Sequence, residues 1–375
     1  MTVYLDHAAT TPMRPEAVEA MLPYFTGRFG NASGSHAVAR EARKALDEAR
    51  DIVADCLGAR PGEIVFTGGG TEADNLAIVG RHTAQPGTAV CTAVEHHAVL
   101  HACGALSESR VVPVTADGVV DLDALTGMLD PSVTVVSVML ANNEVGAIQP
   151  LAEVSDAVRA AAPDAVLHTD AVQAFSWLDV ARLGAAADLV AVSAHKFGGP
   201  KGVGALVVRE GVDVEPIIHG GGQERDRRSG TYNVAGIVGM AAAMQSTVAG
   251  RAATVERVAA LRDRLADGLL AAIPDGSETG DRANKIAGNC HLCFEGVESE
   301  SLLVLLDGAG VCAAAGSACQ SGAIEPSHVL TAMGVPAERA MGALRLSLGS
   351  TTTEADVDLA LEVIPPAVER LRRAS

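Results

Sequence analysis

An α/β fold is predicted by three features of this 375-residue chain. Short apolar runs alternate with stretches whose apolar residues recur at helical spacing, the pattern of strands and the helices that cover them. Several of the runs end in polar or glycine-rich turns, and open α/β sheets present ligand-binding groups at the carboxyl ends of their strands. The length exceeds one ordinary core, so two domains or one large unit are expected.

Composition narrows the function classes. Hydrophobic residues make up 48% of the chain and are nearly all aliphatic, with one Trp and three Tyr. That fills a core but offers no base-stacking surface or aromatic belt. A formal charge of −18 argues against nucleic acid and anionic membrane surfaces as partners. No apolar run reaches spanning length, and the start, Met1-Thr2-Val3-Tyr4, lacks the regions of a signal peptide. Seven scattered cysteines read as reduced thiols. A cytoplasmic setting is expected.

The elements follow in order. Val3-Tyr4-Leu5-Asp6 is extended, and a helix is expected from Pro15. After the turn-forming 30–36 loop, Val38, Ala42, Leu46, Ala49 and Val53 share a helical face that Gly58 closes. Residues 63–66 form a strand, and Thr67-Gly68-Gly69-Gly70-Thr71-Glu72 turns it into a helix over 73–79. Such a turn is either a capped connection or an anion site at a helix start. Residues 89–94 form a strand running into Glu95-His96-His97. His97 and His101 have the spacing of a helical metal pair, yet no third ligand follows and no metal is assigned. Strands at 111–114 and 133–139 continue the alternation, the second entering the polar knot Asn142-Asn143-Glu144. The next strand, at 165–170, ends on Asp170, either a helix N-cap or a ligand group.

Two apolar runs, 187–192 and 203–208, then flank Ser193-Ala194-His195-Lys196-Phe197-Gly198-Gly199-Pro200-Lys201. Only four of the chain's 28 basic residues are lysines. Lys44 falls in a charged helix and Lys285 in a polar loop, which leaves Lys196 or Lys201 for any functional amine. The stretch admits a snorkelling lysine at a strand end or an amine kept for nucleophilic chemistry that guanidinium cannot supply. The charged, glycine-rich 219–231 segment reads as a loop reaching across an interface or onto a ligand. Composition shifts near Gly250, where a long helix is expected to start. Strands at 289–294 and 343–348 follow, with helices at 301–306 and 353–363. The second opens on a Thr353-x-x-Asp356 cap, and Pro365-Pro366 is expected to break it. Cys290 and Cys293 read as buried thiols. Cys319 lies among small residues in Gly316-Ser317-Ala318-Cys319-Gln320-Ser321-Gly322, either an incidental loop cysteine or an accessible thiol.

As a set, these motifs resemble the cysteine desulfurases of the NifS/IscS-like group. That group lies within the class V aminotransferases, pyridoxal 5'-phosphate (PLP) enzymes of fold type I. The resemblance rests on 4–12, Gly70-Thr71-Glu72-Ala73-Asp74-Asn75, Val94-Glu95-His96, Asn142-Asn143-Glu144, Asp170-Ala171-Val172-Gln173, Ser193-Ala194-His195-Lys196, Arg228-Ser229-Gly230-Thr231, Gly316–Cys319 and Arg345-Leu346-Ser347-Leu348-Gly349. It runs to the terminal helix. It implies a large PLP-binding domain over 14–249 with a mostly parallel, seven-stranded-type sheet. A smaller α+β domain would comprise 1–13 and 250–375 and carry a mobile cysteine loop.

The resemblance also implies roles. Lys196 would carry PLP as a Schiff base and move the substrate's α-proton. Asp170 would face the pyridine nitrogen, His96 would cover the ring, and Gln173 and Asn143 would bond the phenolic oxygen. Gly70, Thr71, Ser193 and His195 would cradle the phosphate, completed by Thr231 of a neighbouring subunit in a homodimer. Arg345, with Asn143, would hold the carboxylate of L-cysteine. Cys319 would take the sulfur as a persulfide, release L-alanine, and pass the sulfur to an acceptor such as an iron–sulfur scaffold, or into thio-cofactor or tRNA synthesis. No resident metal is implied, Cys319 alone being available as an iron–sulfur ligand during transfer. Direct nucleic-acid and membrane partners are not expected. The chain departs from many relatives at Ala313-Ala314-Ala315 and Gln320, which bears on the sulfur acceptor, and at Asp226-Arg227, which replaces a less charged pair. A selenocysteine lyase or aminotransferase of the same fold, and a non-catalytic scaffold, are the competing readings.

Overall fold

The computed structural model describes residues 2–316 and 326–374, so Cys319 lies outside the described residues. Seven strands form the main sheet, in the spatial order Ile64–Thr67, Gly204–Val208, Leu189–Ser193, Val166–Asp170, Val133–Ser137, Thr88–Thr92 and Ser109–Val112. The last five pair in parallel. Gly204–Val208 runs antiparallel to both of its neighbours. The sheet is therefore mostly parallel, as expected.

Its strands are apolar throughout because both faces are covered. In Leu189–Ser193, Val190 and Val192 face one core, shared with Leu46, Val53 and Met240. Leu189 and Ala191 face the other, shared with Ala73, Leu76 and Ala77. The two-residue alternation of a strand divides the cores. The covering helix Ala37–Cys56 buries Ala42, Leu46, Ala49 and Val53, and Gly58 follows with φ +59°, a conformation that favours glycine.

A smaller antiparallel sheet, in the order Ala343–Ser347, Asn289–Phe294, Gly276–Glu278, lies in the C-terminal part. Val3–Tyr4 pairs with Val311–Cys312, and Val3 and Leu5 join the C-terminal core with Leu292, Leu344 and Val357.

Three local expectations change. The long helix runs Val234–Ala272 rather than starting near Gly250, with Asn233 Oδ1 capping the Gly236 N–H at 3.0 Å. Its first half packs on the large core and its second on the C-terminal one, so the shift in composition marks a change of partner. The terminal helix, Glu354–Ala374, opens on the expected Thr353/Asp356 cap but continues through Pro365 and Pro366. Burial of Ile364 and Val368 offsets the hydrogen bonds that prolines remove. Finally, Lys285 is buried rather than in an open loop, and its Nζ donates to Glu278 Oε1 at 3.0 Å and to the Thr279 carbonyl at 2.9 Å.

The 219–231 loop is fastened by an ion pair. Glu224 is 2% exposed; its carboxylate accepts from Arg50 NH1 at 2.9 Å and NH2 at 2.5 Å, and from the Phe66 N–H at 3.1 Å. Arg50→Ala would strand a buried carboxylate, and a loss of about 3–5 kcal/mol is expected in denaturant unfolding. A loss below about 1 kcal/mol would show that the pair is dispensable. Among the described residues, no helix is long and apolar enough to cross a membrane.

Candidate active site

The parallel strands end on one side of the sheet, and their last residues converge there. A cavity of about 360 Å³ is lined by Ala8, Gly70, Thr71, Asp74, His96, Asn143, Asp170, Gln173, Ser193, His195, Lys196 and Arg345, among others. An open groove beside it takes in Gly68, Gly69, Thr71, Ser193, His195 and Lys201. Of the expected residues that the structure describes, all but Thr231 line the cavity. Thr231 is exposed, and the chain does not bring it to its own pocket.

Lys196 closes a single tight turn, Ala194–Lys196, directly after the strand Leu189–Ser193. Its Nζ donates to the carbonyls of Ala8 at 2.5 Å and Ala9 at 3.0 Å, so the N-terminal segment aims the amine. Gln173 Nε2 donates to the same Ala8 carbonyl at 2.6 Å. Asp170 ends its strand, and its Oδ1 accepts from the Val172 N–H at 2.8 Å. It caps a turn, not a helix. Burial pushes its carboxyl above the ordinary range, opposed by that hydrogen bond and by the Lys196 charge.

His96 is the N-cap of the helix His97–Gly104; its Nδ1 accepts from the Ala98 N–H at 3.1 Å. The cap leaves Nε2 to carry the proton. Burial, then the Lys196 charge, pulls His96 down to about 4. The neutral Nε2–H tautomer is therefore expected across pH 5–8, with protonation only near pH 4. Imidazole ¹⁵N NMR of the protein checks this, and a midpoint above pH 6 would contradict it.

The glycine-rich turn feeds a helix that starts at Gly70, three residues earlier than expected, and widens over Leu76–Gly80. Gly69 has φ +149°. A Cβ on Gly70 would meet Val172 Cγ2 at 2.9 Å, so the backbone comes close to the cavity floor because no side chain intervenes. Thr71 and Ser193 line the cavity beside this helix start. His195 Nδ1 lies 3.2 Å from Thr10 Oγ1, and burial holds its imidazole down to about 4.

Asn142 and Asn143 divide the labour. Asn142 is fully buried; its Oδ1 accepts from the N–H groups of Glu144 and Val145. This locks the turn that points Asn143 at the cavity. Arg345, 2% exposed, uses NH1 on the carbonyls of Asn143 at 3.2 Å and Gly316 at 3.0 Å, and NH2 on Asp6 Oδ1 at 2.9 Å. Its Nε has no hydrogen-bond partner among the described residues. The fork is held in place before any anion arrives.

Several residues of the site were not singled out in the sequence. Asp6 orients Arg345. Glu144 accepts from Ser327 Oγ at 2.5 Å, and burial raises its carboxyl. Asp74, Glu95 and His168 are buried around the strand ends. Their only signal was position inside the motifs, Asp74 one helical turn after Gly70 and His168 two residues before Asp170. The His97 ring lies against those of His101 and His328, with centroids 5.1 and 4.5 Å away; among the described residues, no group of three His, Cys, Asp or Glu is arranged to hold a metal.

Together the cavity offers an amine, a carboxyl facing it, a neutral imidazole and a helix start backed by hydroxyls. That set suits a phosphorylated aromatic aldehyde, with Arg345 left for a substrate carboxylate. The comparisons with known proteins agree with the geometry. The family model described as aminotransferase class-V matches residues 3–360. The chain is 50% identical to an IscS-like cysteine desulfurase of Mycobacterium tuberculosis, covering 99% of this chain and 98% of that protein. It is 46% identical to the cysteine desulfurase IscS of Methanosarcina thermophila, covering 100% of this chain and 93% of that one. A solved NifS-like protein superposes with a TM-score of 0.92 at 35% identity, over 99% of this chain and all of the other.

Proposed function

Because the chain belongs to the aminotransferase class-V family, on its cysteine desulfurase branch, we propose that it takes sulfur from L-cysteine with PLP held at Lys196. The observation that carries this reading is the meeting of Lys196, Asp170, His96 and Arg345 in one cavity.

PLP, when bound, supplies an electron sink for breaking bonds at the substrate's α- and β-carbons. The remaining roles belong to the chain. Lys196 would hold the cofactor covalently, and its free amine would move the α-proton. An ionised Asp170 would keep the pyridine nitrogen protonated. Two unit charges about 4 Å apart at an effective dielectric near 20 gain about 4 kcal/mol. His96 would cover the ring, Gln173 and Asn143 would bond its phenolic oxygen, and Gly70, Thr71, Ser193 and His195 would hold the phosphate. Arg345 orients the substrate by its carboxylate.

Cys319 is the sulfur acceptor in this proposal. Its thiolate attacks the substrate sulfur, a new S–S bond forms as the substrate's C–S bond breaks, and L-alanine and a Cys319 persulfide result. Of the other cysteines, Cys56, Cys91, Cys103, Cys290 and Cys293 are buried and Cys312 half-buried. Burial pushes the Cys290 thiol up to about 12, which leaves it inert. The persulfide serves acceptor proteins such as an iron–sulfur scaffold.

A homodimer would complete the site through Thr231 of the second copy. Its support is the exposure of three large apolar side chains within one short stretch, Leu22, Phe25 and Phe29, at 57%, 64% and 74%. We also retain the division into a large unit over 14–249 and a small one over 1–13 and 250–375. A reducing, cytoplasmic setting suits the thiols.

The test is Cys319→Ala. Sulfur release from cysteine is expected to fall at least about 100-fold with PLP uptake retained, and mass spectrometry of the wild type after cysteine should place one extra sulfur on Cys319. Normal alanine formation and sulfur release by the variant would overturn the assignment.

A further inference from the structure

Behind Asp170 lies a concentration of acid in dry surroundings. Asp74 is 1% exposed, and Glu95 and His168 are fully buried. Asp74 reaches the cavity floor from the helix that starts at Gly70. Its Oδ1 stands 3.5 Å from His168 Nε2, and neither atom has a hydrogen-bond partner among the described residues. His168 Nδ1 lies 2.8 Å from Ser137 Oγ. Glu95 is held separately, its Oε1 accepting from Thr92 Oγ1 at 2.7 Å and the Met139 N–H at 2.8 Å.

Three arrangements fit an aspartate beside a histidine: a buried ion pair, a carboxylate accepting from the Nε2–H of a neutral imidazole, or a neutral acid donating to a neutral imidazole. The ion pair would place two charges in a volume where each already faces a penalty. Asp170 and Glu95 face Asp74 and disfavour a negative charge there, which counts against either arrangement with an ionised Asp74, and Lys196 and His96 line the same cavity. Burial holds the His168 imidazole down to about 3 and raises the Asp74 carboxyl. A small rotation turns the 3.5 Å separation into an O–H···N bond and pairs both orphaned atoms at once.

We propose that Asp74 is a protonated carboxylic acid donating to His168 Nε2, a neutral dyad that leaves Asp170 the one ionised carboxylate beneath the cofactor ring. The second half rests on the PLP reading given above. The dyad fixes His168 as its Nδ1–H tautomer, donating to Ser137 Oγ. Asp74 is thus a positioning residue. It prevents a second anion from competing with Asp170 for the pyridine proton.

The test is infrared difference spectroscopy on the full-length protein, wild type against Asp74→Asn, at pH 6–8, with ¹⁵N NMR of His168. Asp74→Asn should remove a protonated-carboxyl C=O stretch and no carboxylate stretch, and His168 should be neutral with the proton on Nδ1. As a control, Asp6→Asn, which removes the partner of Arg345, should delete a carboxylate stretch. Loss of a carboxylate stretch in Asp74→Asn, or an imidazolium at His168, would overturn the dyad. In PLP titrations, Asp74→Asn should weaken binding about threefold and Asp170→Asn more than about 30-fold, roughly 2 kcal/mol. Equal losses would make Asp74 a second charged partner and overturn its positioning role. Failure of the wild type to take up PLP would instead defeat the proposed function, while the infrared result would still decide the dyad.

Discussion

Replacing Lys196 by alanine is expected to lower desulfuration by at least about a thousandfold, since it removes both the covalent hold on the cofactor and the base that moves the α-proton. The fold should survive. Lys196 is only half-buried, and its Nζ donates to two carbonyls, one of which also accepts from Gln173. Lys196→Arg should not rescue, because guanidinium stays protonated. Steady-state rates with circular dichroism of both variants check this. A variant with more than about a tenth of the wild-type rate would place the amine elsewhere.

Arg345→Lys is expected to raise KM for cysteine by about 30–100-fold while changing kcat less, the loss of one charge-assisted hydrogen bond of a bidentate pair. The geometry sets the direction. Arg345 is already oriented by Asp6, Asn143 and Gly316, so its fork costs little to arrange. An ammonium cannot serve three partners and a carboxylate in one plane. A variant with unchanged KM and reduced kcat would show that Arg345 acts on the reaction rather than on substrate binding.

Much of this site was legible in the sequence because strand ends are legible. Asp170, His96 and Lys196 each follow an apolar run, and a parallel sheet carries such residues to one edge. What stayed hidden is polar groups whose meaning depends on burial. Asp74 looks like any early helix residue until the helix packs against the strands Leu189–Ser193 and Gly204–Val208. His168 sits inside an apolar run and shows nothing of the carboxyl across from it. Lys285 read as a loop lysine because its partner Glu278 is seven residues away and only a turn brings them together. The shift at Gly250 was real, but a helix that passes from one core to another changes composition without ending.

The most direct measurement is borohydride reduction of the PLP-loaded protein, followed by peptide mass mapping. The expected result is one phosphopyridoxyl group per chain, on the peptide containing Lys196, with loss of visible absorbance. A label on Lys201, or a colourless protein that takes up no PLP and carries no label, would contradict it.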